Sequence, residues 1–158
     1  MSAPIRIWLE IAHHAAFRVG GWAFVRADAG GVSGAAGGER QIDLERAGLA
    51  GLLAALRDVS AGASVELFTA SPDLLAVPRR IAAAEASEDP PAANLDLWAS
   101  VSTELRRLKV TARRAERAPQ SPTAFAAAWA DLARDRAKDK GAFKAPIPKP
   151  NLAKAGVA

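Results

Sequence analysis

The sequence contains no cysteine, and only two of its 158 residues are histidine. Without cysteine there is no disulfide scaffold, no zinc ribbon and no thiol nucleophile. Two histidines leave almost nothing for a His-rich metal site. Long apolar runs are missing too: none approaches the roughly 20 residues of a membrane span. The N-terminus lacks a signal-peptide core, so a cytoplasmic protein without membrane attachment is expected. Bulky apolar residues are scarce. Half of the chain counts as hydrophobic, but 39 of those residues are alanine. Val, Ile, Leu, Met, Phe and Trp together make up only about a quarter of the sequence, yet they fall in spaced clusters. A chain of this length and pattern predicts one domain with a modest core.

What is present in excess is positive charge, and it is unevenly placed. The formal net charge is +4, with a sequence pI near 10.0. Residues 1–100 carry 8 basic and 12 acidic groups, whereas residues 101–158 carry 13 basic and 5 acidic ones. A basic C-terminal third suggests a polyanionic partner. Solvated helix faces followed by a basic tail would give the same count.

Alternation of Ile5, Ile7, Leu9 and Ile11 with Arg6, Trp8 and Glu10 predicts a first strand over Met1 to Ile11. A second strand is expected over Gly20 to Ala27. The turn residues Asp28-Ala29-Gly30-Gly31 lead into a weaker, glycine-rich third strand over Val32 to Arg40. Asp43 has the position of an N-cap for a helix to about Asp58, with Leu49, Leu52, Leu53 and Leu56 on one face. Val65 to Thr69 reads as a fourth strand. Ser71-Pro72 opens a helix that Pro78 should kink or divide. After an acidic loop at 85–93, Asn94 is expected to cap a helix burying Leu95, Trp98, Val101, Leu105 and Leu108. A fifth strand over Lys109 to Ala115 follows. Ser121-Pro122 then starts a last helix with Phe125, Trp129 and Leu132 inward. Residues 1–140 are taken as the domain and 141–158 as a flexible basic tail rich in Pro and Lys.

Several local patterns support a family resemblance across about residues 4–138. They are Gly20-Gly21-Trp22-Ala23, Ser33-Gly34, Arg46-Ala47-Gly48-Leu49, Val65-Glu66-Leu67-Phe68-Thr69-Ala70-Ser71, Asn94-Leu95-Asp96-Leu97-Trp98 and Trp129-Ala130-Asp131-Leu132-Ala133. In this order, on a β-β-β-α-β-α-α-β-α frame, the chain resembles type 1 ribonuclease H. The resemblance implies an α/β, ribonuclease H-like fold: a five-stranded mixed sheet, three antiparallel strands then two parallel, flanked by helices. Active members of that family cleave the RNA strand of an RNA–DNA hybrid with two Mg²⁺ held by four carboxylates. Position by position, those carboxylates fall on Glu10, Gly48, Ala70 and Ala130, so three of four are lost. The family's Gly-Asn-Pro turn is replaced by His13-His14-Ala15-Ala16-Phe17-Arg18, and its Asn pair by Leu44-Glu45.

Three functional readings follow. The first is a non-catalytic, ribonuclease H-like domain that binds RNA, DNA or hybrid through its basic C-terminal third. Its candidate phosphate contacts are Lys109, Arg113, Arg117, Lys138 and Lys140, and it needs no catalytic residue, metal or cofactor. The second is a protein-interaction module, docking on a small apolar face of Ala12, Ala16, Gly48, Ala70 and Ala130. The third is a residual Mg²⁺-dependent hybrid ribonuclease, in which Glu10 works with displaced acids such as Glu45, Asp73 or Asp131. For Glu10 itself the expected role is a pair with a nearby arginine such as Arg18. His13 and His14 read as exposed loop imidazoles, with phosphate or metal contact beside Glu10 as the alternative. Core packing is the expected role of Trp98 and Trp129.

Overall fold

The computed structural model describes residues 3–158. Alternation carries the chain through an antiparallel meander of β1 (Ile5–His14), β2 (Val19–Asp28) and β3 (Gly31–Arg40). Asp43 caps α1 (Leu44–Leu56) by accepting from the Arg46 N–H at 2.7 Å, satisfying a donor that the first helical turn leaves free. The chain continues through β4 (Ser64–Thr69), α2 (Pro72–Leu75), α3 (Val77–Glu85), α4 (Leu95–Arg107), β5 (Lys109–Arg114) and α5 (Pro122–Lys140). It ends in β6 (Phe143–Pro146) and α6 (Lys149–Leu152). β4 lies parallel to both β1 and β5, and the sheet order is β5-β4-β1-β2-β3-β6. Pro78 does divide its helix: α2 and α3 meet at Ala76, and the proline takes a first-turn position of α3.

Two hydrophobic clusters sandwich the sheet. On the α1 side, Ile7, Leu9, Trp22 and Phe24 pack against Leu49, Leu52 and Leu56, with Trp98 and Val101 of α4. On the α5 side, Trp8, Ala12, Ala23 and Val25 pack against Ala130 and Ala133. Here the inward face of α5 differs from expectation. Ala126, Ala127, Ala130, Ala133 and Ala137 are buried, Phe125 and Trp129 are only partly covered, and Leu132 is 59% exposed. The reason is close approach of backbones. A Cβ on Gly21 would lie 2.3 Å from the Arg134 nitrogen, and one on Gly38 would lie 2.9 Å from the Ala133 oxygen. A helix this near a strand presents alanine, and the larger side chains move to its flanks.

Residues 141–158 are not a flexible tail but a sixth strand and a short helix. β6 pairs antiparallel with Ala35–Gly38 of β3, and Ile147, Leu152 and Ala155 are buried on the α5 side. Pro146 is tolerated because β6 is an edge strand, where a missing N–H breaks no ladder. At the chain end, Arg6 Nη2 donates to the Ala158 oxygen at 3.1 Å. The expected five-stranded sheet therefore has six strands. The first strand runs further than predicted, to His14, while Met1 and Ser2 lie outside the described residues. Asn94 precedes α4 but does not cap it: its φ is 56°, and its amide reaches Asp43 and Glu45 instead.

Candidate functional site

β1 is paired with β2 without interruption from Arg6 to His14, so its side chains alternate strictly. Ile7, Leu9 and Ile11 face α1; Trp8, Glu10 and Ala12 face α5. Glu10 is therefore carried into the interior, where it is fully buried. Its Oε2 accepts from the Thr69 hydroxyl at 3.0 Å and from the Ala70 N–H at 2.8 Å. Its Oε1 accepts from Arg117 Nε at 2.8 Å. Thr69 is held in turn by the Ser71 N–H at 3.1 Å. The end of β4 thus forms a polar cradle for the carboxylate, and the segment between β5 and α5 supplies the counter-ion. A buried carboxylate survives when paired and hydrogen-bonded in this way. The partner is Arg117, from 107 positions away, and not the sequence-near Arg18.

Of the other three positions, Gly48 and Ala130 are buried and Ala70 is half-buried. Gly48 looks onto Ile11 and Leu74, each 3.4 Å from where its Cβ would be. The cleft lined by Ile11, Gly48, Leu74 and Trp98 holds only about 10 Å³. Ala130 is fully buried, and Ala70 contributes its backbone N–H to Glu10. Neighbouring acids are turned elsewhere. Glu45 accepts from Arg80 Nη1 at 2.7 Å and from Asn94 Nδ2 at 2.9 Å. Asp73 is exposed on α2, and Asp131 pairs with Arg134 at 3.5 Å. Among the described residues, no group of three or more His, Cys, Asp or Glu side chains is placed to hold a metal ion. One carboxylate with both oxygens engaged does not suit a pair of Mg²⁺ ions. Of the small apolar docking face, Ala12, Gly48 and Ala130 are buried, Ala70 is half-buried and Ala16 is exposed.

The N-terminus of α1 is tied to α3 and α4 by a second network. Arg46 meets Asp96 through two hydrogen bonds, at 3.1 and 3.0 Å. This hydrogen bond to the guanidinium holds the Asp96 carboxyl below the usual aspartate range and raises Arg46 in return. Arg80 stacks over Trp98 at 4.3 Å from the ring centroid while gripping Glu45. These residues fasten helices together.

The five candidate phosphate contacts separate into two places. Lys109 and Arg113 lie on β5, at one edge of the sheet, and Arg113 is neutralised by Glu66 at 2.8 Å. Arg117 is committed to Glu10. Lys138 and Lys140 are at the C-terminal end of α5, toward the β3 side, where Arg40 donates to the Ala137 and Lys138 carbonyls. The Lys138 ammonium sits 3.8 Å from the centroid of the Phe17 ring, on the turn Ala15–Phe17 that joins β1 to β2. Among the described residues, Arg18, Lys138 and Lys140 have no carboxylate partner within salt-bridge distance, and neither have Lys109 on β5 or Lys144, Lys149 and Lys154 near the C-terminus. His13 and His14 close β1 and are not in a loop. His13 Nε2 lies 2.9 Å from the Ile42 carbonyl oxygen, and His14 packs 4.8 Å from Phe17. Phe17 and Arg18 were not among the candidates. A large aromatic followed by arginine in a tight turn was the available signal. Trp98 is core as expected, while Trp129 is half-buried.

No protein-family model matches the sequence, and no curated protein is significantly similar to it. Solved structures do resemble it. An N-terminal RNase H domain from Mycobacterium tuberculosis matches with a TM-score of 0.64 at 15% identity, covering 87% of this chain and 98% of the other. LC9-RNase H1, a type 1 RNase H with the type 2 active-site motif, matches with a TM-score of 0.66 at 11% identity, covering 100% and 87%. LC11-RNase H1, in complex with an RNA/DNA hybrid, matches with a TM-score of 0.61 at 16% identity, covering 84% and 98%. The chain has the ribonuclease H fold.

Proposed function

We propose that this chain is a non-hydrolysing domain of the ribonuclease H fold that binds nucleic acid at the end formed by the β1–β2 turn and the C-terminus of α5. The observation that carries the first half is the saturation of Glu10. Both oxygens of the one remaining carboxylate are engaged by Thr69, Ala70 and Arg117. A two-metal reaction needs several free carboxylate oxygens around one point. Support for the second half comes from Lys138, which lies against the exposed Phe17 ring next to Arg18, with Lys140 two residues on along the same helix. LC11-RNase H1 was solved with an RNA/DNA hybrid and a foamy viral protease–reverse transcriptase with double-stranded DNA, so nucleic acid is the ligand class this scaffold is known to meet. The phosphate contacts are therefore assigned to Lys138 and Lys140 ahead of Arg113 and Arg117, which are engaged by Glu66 and Glu10, while Lys109 on β5 has no carboxylate partner and stays a candidate.

A filter-binding titration at several salt concentrations tests this reading. Binding should weaken as salt rises, by about 0.7–0.9 log units per log unit of salt for each phosphate neutralised. Binding that is absent, or indifferent to salt, overturns it.

A further inference from the structure

We infer that Phe17 is a stacking platform for an unpaired nucleobase, so that the ligand preferred at the basic end is single-stranded nucleic acid. The inference deepens the nucleic-acid reading above and rests on it. Phe17 is 55% exposed at the tip of the β1–β2 turn, outside both hydrophobic clusters. A lone exposed apolar side chain would be ordinary. This one is held in place between a cation and an imidazole ring. The Lys138 ammonium lies 3.8 Å from its ring centroid, and the His14 ring is 4.8 Å away and tilted by 41°. A cation at this distance is attracted to the ring face, so it fixes the ring while keeping its own charge beside it.

The turn beneath the ring is anchored at three points. Arg18 N–H donates to the Ala15 oxygen at 3.2 Å, the Ile42 N–H donates to the Arg18 oxygen at 3.0 Å, and His13 meets the Ile42 carbonyl. Arg18 itself occupies the left-handed region, with φ 49°. An aromatic surface that is already ordered loses little freedom when a ligand arrives. A base inside a duplex has both faces occupied by its neighbours and cannot lie on such a ring. A base in a single strand can, and its flanking phosphates then come within reach of Arg18 and Lys138. Arg40 supports the arrangement by neutralising the carbonyl end of α5. The acids nearest in sequence, Glu39 and Asp139, take part in no ion pair and temper the local charge without cancelling it. Stacking of this kind is tolerant of sequence, because every base presents a π face.

Fluorescence anisotropy with three labelled probes of equal length tests the inference: a 15-mer of thymidine, its duplex with the complementary adenosine strand, and an abasic sugar–phosphate strand. The thymidine strand should bind more tightly than the other two. Phe17→Ala should weaken it on the order of tenfold, with the salt dependence unchanged and the abasic strand unaffected. Because Phe17 is exposed, the variant should fold as the parent does, which circular dichroism checks. Phe17→Trp should retain binding and show a change in emission on saturation that the parent does not show. If Phe17→Ala binds the thymidine strand like the parent, or Phe17→Trp emission does not respond, the platform is refuted while the nucleic-acid reading stands. If no probe binds the parent in a salt-dependent way, both fall.

Discussion

Around Glu10 one buried carboxylate receives three hydrogen bonds, whereas at the β1–β2 turn Arg18 and Lys138 have no carboxylate partner and an aromatic ring is exposed. The two regions are connected by the same strand, only a few residues apart. Their difference lies in which charges are paired. Positions 48, 70 and 130 carry glycine or alanine, Gly48 faces Leu74 and Ile11, and Arg117 is spent on Glu10.

The comparison can be broken at its shared support. Gly21→Ala would drive a methyl group into the α5 backbone, between the two regions, and should cost about 3 kcal/mol. Loss of both thermal stability and binding would follow, read by urea denaturation and anisotropy. Arg117→Met should act on the closed region alone. Stripping one partner from a fully buried pair costs roughly 3–5 kcal/mol. Here about 2 kcal/mol is expected, because Arg117 is half exposed and Glu10 keeps two donors. Adding Glu10→Gln in that background should recover part of the loss, since no buried charge is then left alone.

At the open region, Lys138→Gln with Lys140→Gln should lower the salt dependence of binding by about 0.7–0.9 for each contact removed. Lys109→Gln with Arg113→Gln should leave it nearly unchanged. The reverse pattern would move the binding surface to β5. The smallest effect is expected at Arg46–Asp96. Asp96 titrates lower in the folded chain than in the unfolded one, so its contribution is present at neutral pH and is lost as pH falls through the folded value. Replacing Arg46 by Met should slightly flatten the acid side of a melting-temperature profile below about pH 4, and leave the neutral-to-alkaline side without a new slope.

The meander, α1 and the helix division at Pro78 were legible because their signals are local: alternation, Asp43 and Ser71 as caps, and a proline in a first turn. The inward face of α5 was not, because bulk marks burial only where neighbouring elements leave room for it. Alanines 126, 130 and 133 are inside only because Gly21 and Gly38 let the helix come close, and that is a property of a pair of elements. The fold of residues 141–158 was not legible for a related reason. Its prolines and lysines look like a linker, and only the unpaired glycine-rich edge of β3 gives Phe143–Pro146 a place to fold. In the site, the scarcity of acids around Glu10 could be read from residue types alone. The partner of Glu10 could not, since Arg117 reaches it across β4 from a segment with no pattern of its own.

The central claim is that the carboxylate centre is closed to metal-dependent hydrolysis. A single-turnover assay with an end-labelled RNA–DNA hybrid, protein in excess, and Mg²⁺ or Mn²⁺ at millimolar concentration tests it most directly. The account predicts an intact RNA strand over hours under conditions where the hybrid or a single strand is bound. Metal-dependent cleavage that disappears in Glu10→Gln would contradict it.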